Sequence, residues 1–371
     1  MRQPNNQPKL VVFAGPNGSG KSTITNTLRE TASFPANYIN PDEIALTLTE
    51  NNPNRKAYQA AIIAEEQRQS YIDQRESFAF ETVMSHPSKL ELMKQALISG
   101  YQVELVFVAT KDPEININRV RQRVAEGGHD VPADKIRERY NRTIELLPAA
   151  VEIADRVRIY DNSTIPQQAV IIENGQITYQ LEEIPTWVQT TLTKLEQRAS
   201  DRSQIATNPT TPANIDSGKY VGTVSQTTDN YIVQQTGDRR ILHDRSIVKG
   251  EFESGDNIRI AYRDGNVVAT VQPTQENQQW AESILPIASN ILQVERLENR
   301  VENPSRGIEL VRENNYQLQL NRNNETLTIS SVGDNRTVAS YDLAESIVIA
   351  ANPTAQDKQY WLSRSQQSQV E

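Results

Sequence analysis

Nine consecutive residues constrain this chain more than any others: Gly15-Pro16-Asn17-Gly18-Ser19-Gly20-Lys21-Ser22-Thr23. They satisfy G-x-x-x-x-G-K-[ST], a loop whose backbone cradles phosphate. The apolar run Leu10-Val11-Val12-Phe13-Ala14 precedes them, with the length and branching of a buried parallel strand. Ile24 and Leu28 follow at helical spacing. Strand, loop and helix in that order are the setting this motif requires. Glycines at 15, 18 and 20 let main-chain N–H groups turn inward around an anion. The helix opening after Gly20 adds its unsatisfied N–H groups and positive dipole end. Lys21 is then placed to reach the β and γ phosphates of a nucleotide, and the Ser22 hydroxyl to reach Mg²⁺.

Composition narrows what surrounds this loop. A length of 371 residues suits two or three domains. There is no cysteine, and the three histidines lie far apart, so neither a disulfide framework nor a thiolate metal site is expected. A net charge of −9 argues against non-specific binding to nucleic acid or anionic membrane. No segment approaches the ~20 apolar residues that span a bilayer. The polar start, Met1 to Lys9, lacks an apolar signal core, so the expected location is the cytoplasm.

In the first half, strand patterns alternate with helical ones. Strands are expected at Tyr38–Asn40, Ser77–Phe80, Val103–Ala109 and Arg156–Tyr160. Helices are expected over 54–75, Ser88–Ser99, Asn116–Val124 and Pro132–Ala154, the last with a break at Pro148, and over Pro185–Arg198. Asn174-Gly175 between apolar runs signals a hairpin. Such alternation predicts an α/β fold, a parallel sheet flanked by helices, with ligands at the carboxyl ends of the strands. That rule brings Asp42 and Glu81-Thr82 to the same edge as the phosphate loop. Asp42 reads as a general base toward an acceptor hydroxyl, or as the N-cap of the helix at Glu43. Glu81 reads as a ligand for a substrate hydroxyl or a Mg²⁺-bound water, or as a surface residue. Arg119, Arg121, Arg123, Arg137, Arg139 and Arg142 flank Gly127-Gly128-His129-Asp130-Val131-Pro132. They suit a movable lid that brings cations onto a transferring phosphoryl group, or a solvated basic helix face.

Residues from about 9 to 165 resemble the zeta toxin family of P-loop kinases. The resemblance is carried by GPNGSGKST at 15–23, NPDEIA at 40–45, FETVMS at 80–85, GGHDVP with RERYNR at 127–142, and ADRVRIYDNS at 154–163. It implies transfer of phosphate from ATP or GTP to a sugar hydroxyl of UDP-N-acetylglucosamine, and restraint by a small antitoxin protein. It makes Lys21 the phosphate-loop lysine, Ser22 the Mg²⁺ ligand, Asp42 the catalytic aspartate and Glu81 a substrate-contacting glutamate. Arg121 or Arg123 supplies the first lid arginine, and Tyr160 to Ser163 lie near the nucleotide base. His129 stands where the plasmid-borne toxins carry a second lid arginine, and a neutral imidazole does not replace a permanent cation. Arg137 or Arg139 is placed to compensate on the acceptor side.

Ala199 to Ser217, polar and without apolar period, reads as a linker after a kinase domain of residues 1–198. Short strand patterns over 218–272 suggest a small β-barrel, which resembles the plasmid KfrB-type β module in ILHDR at 241–245, GD at 255–256 and the YRDGNV hairpin at 262–267. His243 and Asp244 invite a catalytic reading, but no nucleophile accompanies them, so a structural role is expected. Residues 275–365 read as a helix followed by antiparallel strands. These modules suit binding or regulation, with a nucleic-acid role left open for them. The whole is read as an ATP-dependent kinase of the zeta toxin type with appended β modules. The rivals are a kinase acting on another sugar, a nucleoside or a polynucleotide end, and a plasmid-maintenance binding protein whose nucleotide site is a switch.

Overall fold

The computed structural model describes residues 7–367 apart from 51, 129, 264, 299, 306, 324, 335 and 345. His129, Asp264 of the 262–267 hairpin and the first six residues therefore lie outside the described residues.

The first half builds β1 (Lys9–Ala14), α1 (Lys21–Arg29), β2 (Asn37–Ile39), α2 (Pro41–Thr47), α3 (Pro53–Gln74), β3 (Phe78–Thr82) and α4 (Ser88–Ile98). It continues with β4 (Gln102–Ala109), α5 (Pro113–Ala125), α6 (Ala133–Ile153), β5 (Arg156–Asp161), β6 (Gln167–Glu173), β7 (Gln176–Gln180) and α7 (Thr186–Ile205). The sheet order is β2-β3-β1-β4-β5-β6-β7. The first five strands run parallel and the last two close the edge as an antiparallel hairpin. β1 and β4 are apolar almost without interruption because both faces are covered. The hairpin turns on Asn174 (φ 50°) and Gly175 (φ 76°), the left-handed pair that a two-residue turn needs.

Three expectations give way here. α6 passes through Pro148 without ending, because Leu146, Leu147, Ala149, Ala150 and Val151 are all buried around it. That packing outweighs the hydrogen bond a proline cannot donate. α7 does not stop at Arg198 but runs seven residues into the expected linker. The reason is tertiary: Arg198 is 3% exposed and its Nη2 lies 2.6 Å from both Glu152 Oε2 of α6 and Asp244 Oδ2. Farther on, Ile205 is buried with Tyr231 and Val233. Thr211–Pro212 then forms β8, which pairs with a later strand, and Ala213 and Ile215 are buried.

The second sheet comprises β8 (Thr211–Pro212), β9 (Lys219–Thr227), β10 (Tyr231–Thr236), β11 (Arg239–Asp244), β12 (Asn257–Arg263) and β13 (Asn266–Val271). Its order, β13-β12-β9-β10-β11-β8, is open rather than the closed barrel expected. Its apolar side does not need to close on itself. Ile215, Ile247, Val248, Phe252, Ile258 and Ile260 share one continuous core with residues of the first half, Leu90 and Met93 of α4 among them. The third unit is α8 (Gln275–Leu297), six antiparallel strands β14 (Glu302–Ser305), β15 (Ile308–Glu313), β16 (Tyr316–Asn321), β17 (Thr326–Ser331), β18 (Thr337–Asp342) and β19 (Ile347–Ala351), and α9 (Ala355–Gln367). It has a core of its own around Tyr316, Tyr341 and Trp361. Among the described residues no helix is long and apolar enough to cross a membrane.

Candidate active site

The phosphate loop leaves β1 in the middle of the parallel sheet and ends at α1. Gly18 (φ 76°) and Gly20 (φ 87°) hold left-handed backbone, and a Cβ on Gly20 would fall 2.1 Å from Asn162 Nδ2. Asn162 stands there because its Nδ2 donates to the Ser19 carbonyl at 2.8 Å. Asn116 Nδ2 of α5 donates to the Asn17 carbonyl at 2.8 Å in the same way. Two buried amides from distant elements therefore brace the loop. Sequence reasoning missed Asn116 altogether. The available signal was a short polar side chain on the apolar face of α5, beside Ile117 and Val120. Asn162 lay in the segment expected near the nucleotide base, and the structure brings it to the loop itself.

Lys21 folds back over its own loop, with Nζ donating to the Gly15 carbonyl at 2.8 Å and the Pro16 carbonyl at 3.0 Å. Burial pulls its pKa down to about 8. Glu81 and Asp42 oppose that shift, and Arg123 adds to it. An ammonium held partly desolvated among main-chain amides fits a multiply charged phosphate.

Glu81 is the next-to-last residue of β3, directly beside Phe13 of β1. Its Oε2 accepts from the Ser22 hydroxyl at 3.1 Å and its Oε1 from the Tyr38 hydroxyl at 2.9 Å. A hydroxyl and a carboxylate side by side at the loop's end are hard oxygen donors, which suit Mg²⁺. Thr82 lines the cleft, and its Oγ1 accepts from the Met84 N–H at 3.0 Å, which shapes the turn after β3. Asp42 is the second residue of α2. The cap of that helix is Asn40, whose Oδ1 accepts from the Asp42 N–H at 2.9 Å. The capping alternative for Asp42 therefore falls away, and its exposed carboxylate lines the cleft with Lys21 and Glu81.

The arginines divide by helix phase. Arg119 and Arg123, one turn apart on α5, both line the cleft, and so does Arg139 of α6, whose Nη1 is 3.4 Å from Asn17 Oδ1. Arg119 Nη1 is buried with no hydrogen-bond partner among the described residues. Three arginines of the expected lid are not in its lining, and one of them, Arg142, pairs with Glu138 on its own helix. Arg121 is exposed, with Nη1 3.3 Å from Asn118 Oδ1. Arg137 donates from Nε to Glu114 Oε1 at 2.7 Å and thereby ties α6 to α5. Two residues along a helix are 200° apart, so Arg121 and Arg123 could not both face one ligand.

Glu65 and Arg68 of α3, His86 of the turn after β3 and Lys89 of α4 complete the cleft, about 810 Å³ in volume. The second sheet reaches this rim: His86 Nε2 is 3.4 Å from Asn266 Oδ1 at the start of β13. His243 is buried, with Nδ1 2.8 Å from the Tyr262 hydroxyl and Nε2 3.1 Å from Gln234 Oε1. Burial pushes its pKa down to about 4, and Asp244 pairs with Arg198. Both are structural, as expected.

Residues 1–175 match the family model described as Zeta toxin, and residues 219–271 match the one described as KfrB Domain. A Haemophilus influenzae protein described as uncharacterized is 31% identical over 134 residues, which cover 36% of this chain and 94% of that protein. The Streptococcus pneumoniae PezAT chromosomal toxin-antitoxin system is similar at 17% identity and TM-score 0.36, over 54% of this chain and 88% of that one. AvrRxo1-ORF1:-ORF2 with ATP is similar at 16% identity and TM-score 0.38, over 46% of this chain. The chain spans 60% of the length of that structure.

Proposed function

The chain belongs to the Zeta toxin family, and from that premise we propose that its first half is an ATP-dependent kinase whose acceptor is a sugar hydroxyl of UDP-N-acetylglucosamine or a related nucleotide sugar. The observation that carries the reading is the convergence of Lys21, Asp42, Glu81, Arg119, Arg123 and Arg139 on one cleft. Loop amides and Lys21 grip the triphosphate of ATP or GTP. Ser22 and Glu81 would hold Mg²⁺, which would supply charge neutralisation to the phosphates. Asp42 accepts the proton of the acceptor hydroxyl as its oxygen bonds to the γ phosphorus. The bond from that phosphorus to the bridging oxygen breaks, and the diphosphate leaves. Arg119, Arg123 and Arg139 stabilise the charge spread over the equatorial oxygens. Glu81 acts here from the metal side, because its two oxygens already face Ser22 and Tyr38.

The toxin role, and an antitoxin partner to restrain it, belong to the same proposal and rest on family membership. The test is a screen of labelled ATP against nucleotide sugars, free sugars, nucleosides and polynucleotide ends. The expected result is transfer to UDP-N-acetylglucosamine that collapses in Lys21→Ala and Asp42→Ala. Full transfer by Asp42→Ala would remove the base assignment. Nucleotide binding that changes only an association with DNA or protein would favour a switch.

A further inference from the structure

The first half and the second sheet enclose a pocket of about 370 Å³. Its apolar wall takes one side chain from each converging element: Leu90 of α4, Ile153 of α6, Ile205 of α7, Ile215 of the segment after β8, Leu242 of β11 and Ile247 beyond it. Protein interiors are close-packed, so apolar side chains converge around a pocket at a cost in dispersion contacts that an apolar occupant restores. Its volume falls within the range of small-ligand sites, roughly 300–1,000 Å³. Exposed Ala206 and half-buried Thr210 also line it and give it a side toward solvent. The charged groups of its wall, Lys94, Glu152, Arg202 and Asp244, each already stand beside an opposite charge. Glu152 Oε2 lies 2.6 Å from Arg198 and 2.8 Å from Arg202, Asp244 Oδ2 lies 2.6 Å from Arg198, and Lys94 Nζ lies 4.0 Å from Glu91 Oε2. The Tyr231 hydroxyl is held between Arg202 Nε at 2.9 Å and Glu152 Oε1 at 3.2 Å. An ionic ligand would therefore give up its hydration without gaining a partner, whereas a neutral apolar one gives up little.

The same elements reach the cleft. On α4, Leu90 lines the pocket and the preceding Lys89 lines the cleft. Consecutive helix residues point about 100° apart, so the first turn of α4 is a wall common to both. A second link runs through the β12–β13 turn. The Ile215 carbonyl accepts from the Gly265 N–H at 3.2 Å. Gly265 (φ 76°) lies so close to the first half that a Cβ there would fall 2.7 Å from His86 Cε1 and 2.8 Å from the Ser88 nitrogen. His86 lines the cleft. We propose that the pocket is an effector site: it binds a small, uncharged, mainly apolar molecule, and its occupancy is felt at His86 in the cleft. A ligand that packs against both Leu90 and Ile215 favours one placement of the start of α4 and of the β12–β13 turn, and the cleft rim follows. The second module then reports to the first. Neither the pocket nor the link depends on phosphoryl transfer, so both stand whatever reaction the cleft performs.

The probe is N-phenyl-naphthylamine, a neutral apolar fluorophore, titrated against the full-length chain. Fluorescence should show saturable binding that weakens at least about tenfold in Ala206→Trp and in Thr210→Trp, which fill the solvent side of the pocket. Ala206 is exposed, so its substitution leaves the core intact. Anilinonaphthalene sulfonate, nearly the same body with a charge added, should bind at least about tenfold more weakly. In the chain carrying carbon-labelled histidine, the His86 Cε1–H resonance, identified with His86→Gln, should shift as the neutral probe saturates and remain in place in Ala206→Trp. No saturable binding, or binding that both tryptophan variants leave unchanged, overturns the site. Equal or tighter binding of the sulfonate overturns the neutral ligand class, and a His86 resonance that does not move on saturation overturns the link to the cleft.

Discussion

Raising the pH from 7 to 9 should weaken binding of a non-hydrolysable ATP analogue about tenfold. The perturbation acts on Lys21, whose pKa in the free protein is drawn down to about 8 by burial. Its ammonium is then about nine-tenths charged at pH 7 and about one-tenth charged at pH 9. Bound phosphate holds the ammonium protonated, so above pH 8 binding must take up a proton. The apparent affinity therefore follows the charged fraction, a loss of about 1.4 kcal/mol over the two pH units. The terminal phosphate itself ionises near pH ~6 and contributes little to the change. Neighbouring phenols stay out of the window, since burial pushes Tyr140 up to about 12 and Tyr38 higher still. Calorimetric Kd values at half-unit pH steps, with Mg²⁺ constant, provide the assay. Lys21→Arg should bind without the step, because a guanidinium does not deprotonate in this range. A flat wild-type profile, or the same decline in Lys21→Arg, would refute the assignment of the proton to Lys21.

Asp42→Asn should lower kcat about 10²–10⁴-fold and leave the ATP Kd within twofold, as single-turnover and binding measurements would show. Arg119→Ala and Arg123→Ala should each cost at least about tenfold in phosphoryl transfer, whereas Arg121→Ala stays within about threefold, so equal losses would defeat the helix-phase argument. Gly20→Ala puts a Cβ 2.1 Å from Asn162 Nδ2 on backbone with φ 87°. It should destabilise the fold by at least about 2 kcal/mol in denaturant titration and abolish ATP binding. Arg198→Met takes the buried cation away from Asp244, while Glu152 keeps Arg202, and should cost about 3 kcal/mol, read as a lowered midpoint.

The parallel sheet, its strand-end ligand edge and the hairpin at Asn174-Gly175 were all legible as patterns of period and turn chemistry. Asp42 could be singled out as well, although only the observed Asn40 cap separates a free carboxylate from a capping one. The arginines of the cleft were legible as a cluster but not by member, because the phase of α5 depends on which face packs. Ile117 and Val120 settle that phase by burying themselves, and they carry Arg119 and Arg123 to the cleft. The expected linker failed for a related reason. Its polar composition conceals Ile205, Ala213 and Ile215, few in number but each given a buried place by the second sheet.

By itself the sequence determined the phosphate loop, since nine contiguous residues set their own backbone through three glycines and present their own amides. Tertiary structure decided everything that must meet that loop from elsewhere. Asn116 and Asn162 brace it across separations of 99 and 143 residues. Arg68 and Lys89 share Glu65 only because α3 and α4 flank the same strand end. Local dihedral preferences act over a few residues, whereas these encounters are fixed by which apolar faces exclude water together, and that is a property of the whole packed chain.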